Sequence, residues 1–259
     1  MGSRHSNHTS PAGRIIRSHH DGPLADGQTL TLSDAATRHL IKVLRLSVGD
    51  SLVVFNGQGG EYPATLMHAE RGRPAVVQLG RRQPGCPPSP LRLELLQGLA
   101  RGERMDYAVQ KATELGMARF WPIAARYSEL RLTGERAQGR QRHWQQIAIS
   151  ACEQNRRCDL PTIEAPRRID ELPTQNWGAG VVLDPDASQG WAAWAGQFTQ
   201  PPTHVSLAIG PVGGWHNEEI DQWVALGFQR LTIGPRVLRT ETAGPAVMAA
   251  LQACFGDWR

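Results

Sequence analysis

The chain has 259 residues, 40% of them hydrophobic and 20% charged, with a formal net charge of +4. That is enough for one large globular domain or two modest ones. No apolar run approaches the roughly 18 residues of a membrane span, and the opening M-G-S-R-H-S-N-H-T-S lacks the apolar centre of a secretory signal. Residues 1–13 are expected to be a disordered leader, and no membrane partner is expected. Cys86, Cys152, Cys158 and Cys254 show no C-x-x-C spacing, so no metal and no disulfide framework is predicted, and scattered thiols fit a cytoplasmic protein. Only Lys42 and Lys111 are lysine against 26 arginines. Arginine suits bidentate phosphate contacts, although a GC-rich genome produces the same excess.

Residues 14–80 read as short strands at 14–18, 28–32, 51–56, 61–67 and 74–79, separated by Gly, Pro and Asp turns. One helix interrupts them. Ser33 can cap it, and Leu40, Val43 and Leu44 are expected on one face. Short strands with one helix predict a small β-barrel. Residues 81–90, R-R-Q-P-G-C-P-P-S-P, form a stiff linker and the domain boundary.

Beyond the linker, strands and helices alternate. Strands are predicted at 91–99, 118–124, 178–184, 204–211 and 228–234. Helices are predicted at 103–116, 136–155, 188–197, from an Asn217 cap, and at 241–255. This pattern argues for an α/β domain over 91–259 with a parallel sheet covered on both faces.

Four segments could carry chemistry. In Q-G-L-A-R-G-E-R-M-D-Y-A-V-Q-K-A-T-E-L-G (97–116), Arg101 and Arg104 flank a helix start and could hold an anion, or could pair with Glu103 and Asp106. A-C-E-Q-N-R-R (151–157) places Arg156 at a helix end, where dipole effects alone favour it. I-G-P-V-G-G-W (209–215) and L-T-I-G-P-R-V-L-R-T-E-T-A (231–243) each turn sharply after a strand. Neither fits a P-loop or a G-x-G-x-x-G fingerprint. They predict a ligand held by backbone groups at the carboxyl edge of a sheet.

Together with R-H-L-I-K-V-L-R-L-S-V-G-D (38–50), these strings resemble the RsmE-type 16S rRNA uracil-N3 methyltransferases of the SPOUT (α/β-knot) superfamily, over roughly residues 14–256. The resemblance implies a PUA-like N-terminal barrel and a C-terminal domain tied in a deep trefoil knot. It also implies a homodimer formed through that domain, and 16S rRNA of the small ribosomal subunit as partner. The cofactor implied is S-adenosylmethionine, held at Leu183, Gly210, Pro211, Gly213, Gly214, Ile233, Gly234, Leu238 and Thr240. Val212 stands where the family usually carries Glu.

Methylation at N3 requires loss of a weakly acidic proton from an unpaired or flipped uridine. Arg104 and Arg156 are the candidates for stabilising the phosphate or the developing anion. Glu114, Glu153 or Glu241 could take the proton, with Glu241 ranked first; its alternative role is a first-turn acid of the last helix. Arg14, Arg17, Arg38, Arg45 and Arg101 are the expected RNA contacts. Two alternatives stay open: a related enzyme acting on another RNA position, and a non-catalytic RNA-binding assembly factor.

Overall fold

The computed structural model describes residues 15–70 and 72–258. The expected leader and Arg14 lie outside the described residues. The chain divides into two compact units: residues up to Pro88 together with Cys152–Leu160, and Ser89–Ala151 together with the chain from Pro161 onward. Among the described residues, no helix is long and apolar enough to cross a membrane.

In the first unit, β1 (Arg17–His19), β2 (Thr29–Thr31), β3 (Ser51–Phe55), β4 (Tyr62–His68) and β5 (Val76–Leu79) form one sheet in the order β1-β3-β4-β5-β2. β1 and β3 run parallel and the other neighbours antiparallel. Tyr62, Ala64 and Leu66 alternate inward along β4 with exposed residues between them, the two-residue period of a half-buried strand.

Helix α1 (Asp34–Arg38) begins as predicted: the Ser33 hydroxyl accepts the Ala36 N–H at 3.2 Å. The chain then widens into a π-helical turn over His39–Val43, in which the Leu44 N–H reaches back five residues to His39 O. The extra residue in the turn rotates the apolar face. Leu40 is buried and Leu44 packs on the core, but Val43 is 66% exposed, which corrects the expectation that all three share one face.

Arg17 is also corrected. Expected on an RNA-facing surface, it is only 5% exposed. Its Nη1 pairs with Glu61, its Nη2 donates to Arg157 O at 2.8 Å, and its guanidinium lies 4.6 Å over the Phe55 ring. A desolvated cation needs such partners; held by them and closed off from solvent, the guanidinium is not presented at the surface, although its Nε finds no hydrogen-bond partner.

The second unit comprises β6 (Arg92–Gly98), α2 (Glu103–Glu114), β7 (Met117–Ile123), α3 (Gly134–Asn155), β8 (Thr162–Ile163), β9 (Val181–Leu183), α4 (Trp191–Gly196), β10 (His204–Ile209), α5 (Asn217–Ala225), β11 (Gln229–Leu231) and α6 (Thr240–Phe255). The end of α3, from Cys152, groups with the first unit. The sheet order is β11-β9-β10-β6-β7-β8, with every neighbouring pair parallel.

Both faces of this sheet are covered, which is why its strands read as continuous apolar runs. Leu95, Phe120, Val181 and Leu207 face a core built with α2 and α6, while their neighbours Leu96, Trp121, Val182 and Ala208 pack with Ile220 and Trp223 of α5. Burying each such aliphatic side chain contributes on the order of 1.5–3 kcal/mol. Two local readings change. The two-residue β8 was not predicted, being too short to show a period. The α5 cap is His216 rather than Asn217: its ring accepts the Glu218 N–H, and the Glu219 carboxylate returns to the His216 N–H at 2.9 Å.

Candidate active site

The carboxyl ends of β9, β10 and β11 and the start of α6 open into one cavity of about 1080 Å³. Every residue that the resemblance assigns to the cofactor lines it, from Leu183 through the 210–214 turn to Ile233, Gly234, Leu238 and Thr240. The volume suits a ligand larger than a single ring. Its walls combine apolar side chains at Leu183, Ile233 and Leu238 with the backbone of two glycine-containing turns.

The loops are fixed to one another by close contacts. Thr240 Oγ1 accepts Gln97 Nε2–H at 2.7 Å and donates to Gly210 O, so one buried hydroxyl ties the end of β6 to the first loop and to the start of α6. Gly98 lets the chain approach: a Cβ there would lie 2.4 Å from Pro211 N and 2.9 Å from Gly210 C. Gly213 packs the same way on the loop after β7, where an added Cβ would sit 2.8 Å from Tyr127 Cβ. Glycine is required at both places for lack of space.

Sequence reasoning missed the charged wall residues Asp184, Asp186, Asp221, Arg230, Arg236 and Arg239, two of which form an ion pair. Asp184, 9% exposed, holds Arg230 at 2.6 Å and accepts the Asp186 N–H at 3.0 Å. An acid directly after the apolar G-A-G-V-V-L run was the available signal. Its partner comes from β11, and no local pattern joins the two.

Of the catalytic candidates, Arg104 and Glu241 line the cavity and Arg156 does not. Arg104 Nη1 is held 2.8 Å from Glu129 Oε2, which aims the guanidinium while leaving donors for a ligand. Glu241 lies in the first turn of α6 behind the Arg239 cap. Arg156 belongs to the Cys152–Leu160 segment of the first unit. It is exposed with φ 68°, a conformation uncommon for a side chain with a Cβ. Its neighbours hold it there: Arg157 N–H donates to Asn155 Oδ1 at 3.0 Å, Arg157 O accepts from Arg17, and the Arg157 side chain pairs with Asp159.

The other proton-acceptor candidates are engaged elsewhere. Glu114 is bonded through both oxygens to Lys111. Glu153 accepts the His19 N–H at 2.9 Å, and burial pushes its carboxyl above its ordinary range. Neither lines the cavity. Burial also pushes the neighbouring Cys152 thiol up to about 12, which makes it a poor nucleophile. Among the RNA candidates, Arg38, Arg45 and Arg101 are exposed. Arg101 Nε donates to Glu129 O at 2.7 Å, beside Arg104.

Residues 87–252 match the RNA methyltransferase domain and residues 32–78 the RNA methyltransferase PUA domain. The ribosomal RNA small subunit methyltransferase E of Buchnera aphidicola subsp. Schizaphis graminum is 31% identical, covering 89% of this chain and 92% of its own. The chain belongs to this RNA methyltransferase family. Among solved family structures, a ribosomal RNA small subunit methyltransferase E from Neisseria gonorrhoeae, bound to S-adenosyl methionine, superposes with a TM-score of 0.84 at 31% identity, over 95% of this chain and 100% of its own. A Legionella pneumophila protein, also solved with S-adenosylmethionine, gives a TM-score of 0.87 at 34% identity, over 94% of this chain and 99% of its own. The family assignment accounts for the pairing of a PUA unit with a parallel-sheet unit in one chain.

Proposed function

We propose that this protein transfers a methyl group from S-adenosylmethionine to N3 of a uridine in the 16S rRNA of the small ribosomal subunit. The observation that carries the reading is the single cavity in which both Gly-Pro turns meet Arg104 and Glu241. The lining fits the cofactor: apolar walls at Leu183, Ile233 and Leu238 suit an adenine ring, and turn backbone supplies hydrogen bonds around it. Trp215, on the same wall, has a buried indole N–H with no protein acceptor, a donor that a bound molecule can satisfy.

Pro211 and Gly214 complete the first cofactor turn in this reading. Thr240, with its hydroxyl already spent on Gly210 O, acts by holding the two loops together. When bound, S-adenosylmethionine supplies an electrophilic methyl on a sulfonium. The protein's part is to place the uracil in line with it, to stabilise negative charge on the ring through Arg104, and to receive the N3 proton at Glu241. Arg38, Arg45, Arg101 and Arg156 are assigned to the RNA strand, outside the reacting centre.

The reading extends to a layout of RNA-binding unit over 14–80, linker over 81–90 and catalytic domain over 91–259. It further includes a trefoil knot around the cofactor loops, a homodimer through the catalytic domain, and action in the cytoplasm. Nucleoside mass spectrometry of 16S rRNA from a deletion strain tests it. N3-methyluridine should disappear and return when the purified protein, S-adenosylmethionine and small-subunit RNA are combined. An unchanged nucleoside profile would rule the reading out.

A further inference from the structure

A second concavity, of about 530 Å³, lies in the catalytic unit and is lined by Leu130, Leu132, Arg131, Arg136, Arg140 and His143 together with Gly139. Its geometry follows from local sequence. Leu130 and Leu132 pack on the main core, so the intervening Arg131 is turned outward and is exposed. On α3, Trp144, Ala148 and Ala151 face inward. Arg136, Arg140 and His143 follow at helical spacing along the border of that stripe, with neighbouring Cβ atoms about 5–6 Å apart. His143 is pinned by Asp106 at 2.9 Å, and the same carboxylate accepts the Trp144 indole N–H at 3.2 Å. Among the described residues, no acidic side chain is bonded to Arg131, Arg136 or Arg140, and all three are exposed.

The strand of chain that forms one wall of this groove also borders the candidate active site. Tyr127 packs against Gly213 of the cofactor turn, Glu129 grips Arg104 on the cavity wall, and the next residues are Leu130 and Arg131. The arginine groove is therefore one short, anchored loop away from the reacting centre.

We propose that this groove is a binding site for the phosphate backbone of the RNA strand that carries the target nucleotide. The inference rests on the RNA-modifying reading above and adds a subsite to it. Three guanidiniums bonded to no carboxylate among the described residues present the planar, forked donors that phosphate accepts in pairs. A fixed loop between groove and cavity sets the distance from a held phosphate to the methylated base, so the groove contributes to positioning as well as affinity.

Binding of poly(U), measured by fluorescence anisotropy across a salt series, tests the site. Each lost single-strand phosphate contact lowers the slope of log affinity against log salt by about 0.7. The triple variant R131Q/R136Q/R140Q is expected to bind at least ~10-fold more weakly near 0.1 M salt, with a slope shallower by about 2. Its S-adenosylmethionine affinity, measured by calorimetry, should be unchanged, which shows that the fold and cavity are intact. The corresponding triple lysine variant should recover the slope, because charge is restored. An unchanged slope in the glutamine variant, a loss that lysine does not recover, or no poly(U) binding by the native protein overturns the inference. These readouts concern binding alone, so they remain interpretable if the methylated product proves not to be N3-methyluridine.

Discussion

The arginine cluster around β1 and the cavity at the edge of the second sheet use opposite materials for a similar end. In the cavity, position is set by backbone: Gly98 lies against Pro211, Gly213 against Tyr127, and a single threonine hydroxyl ties three segments. In the first unit, position is set by charge: Arg17 is buried against Glu61 and reaches Arg157 O, fixing the Asn155–Arg157 turn on which Arg156 stands. Removing a side chain should damage the charged cluster, and adding one should damage the cavity.

The largest expected effect comes from unpairing the buried cation. Glu61→Ala leaves Arg17 desolvated without its carboxylate, which costs about 3 kcal/mol by the usual behaviour of broken buried pairs. Arg38→Ala and Arg45→Ala, at exposed positions, should each stay within about 0.5 kcal/mol of the native protein. Urea denaturation of the three variants checks the contrast, and equal midpoints would show that Arg17 is not held as described.

A smaller but more local effect is expected from Gly98→Ala. Its Cβ would meet backbone atoms of Pro211 and Gly210, and backbone cannot swing aside as a side chain tip can. Overpacking of this kind costs about 1–3 kcal/mol. Because the strain falls on the 210–214 turn, which the proposed function gives to the cofactor, S-adenosylmethionine affinity should drop by at least ~10-fold, about 1.4 kcal/mol. Calorimetry on folded protein separates the two losses, and undiminished affinity would break the link between Gly98 and the turn.

The smallest effect is expected at Val212. It is 50% exposed and lines the cavity, at the position where the resemblance leads one to expect Glu. Val212→Glu introduces a solvated carboxylate without disturbing Gly210, Gly213 or Gly214, so cofactor affinity should change by no more than about 3-fold, roughly 0.7 kcal/mol. A gain of ~100-fold in affinity or turnover would instead show that the native chain lacks a working group.

What was legible in the sequence follows from how local each constraint is. The 210–214 and 233–240 turns could be read because Gly-Pro punctuation after an apolar run restricts the chain within a few residues. The parallel sheet could be read from runs such as L-R-L-E-L-L-Q-G-L, which are apolar enough to be covered twice. The Val43 error arose within one turn of helix, since a π-helical widening leaves no compositional trace. The Asp184–Arg230 pair was unreadable because Asp184 lies just past the end of β9 while Arg230 is on β11, 46 residues away.

The sequence by itself determined most of the elements, the two Gly-Pro turns and the resemblance to an RNA methyltransferase family, because each depends on residue order over short spans. Only the tertiary structure decided which arginines are available. Arg17 and Arg104 look alike in the chain, yet one is consumed in a desolvated cluster and the other lines a cavity. Burial and pairing are set by residues distant in sequence, from 25 positions for Arg104 and Glu129 to 140 for Arg17 and Arg157, and no periodicity records contacts at such separations.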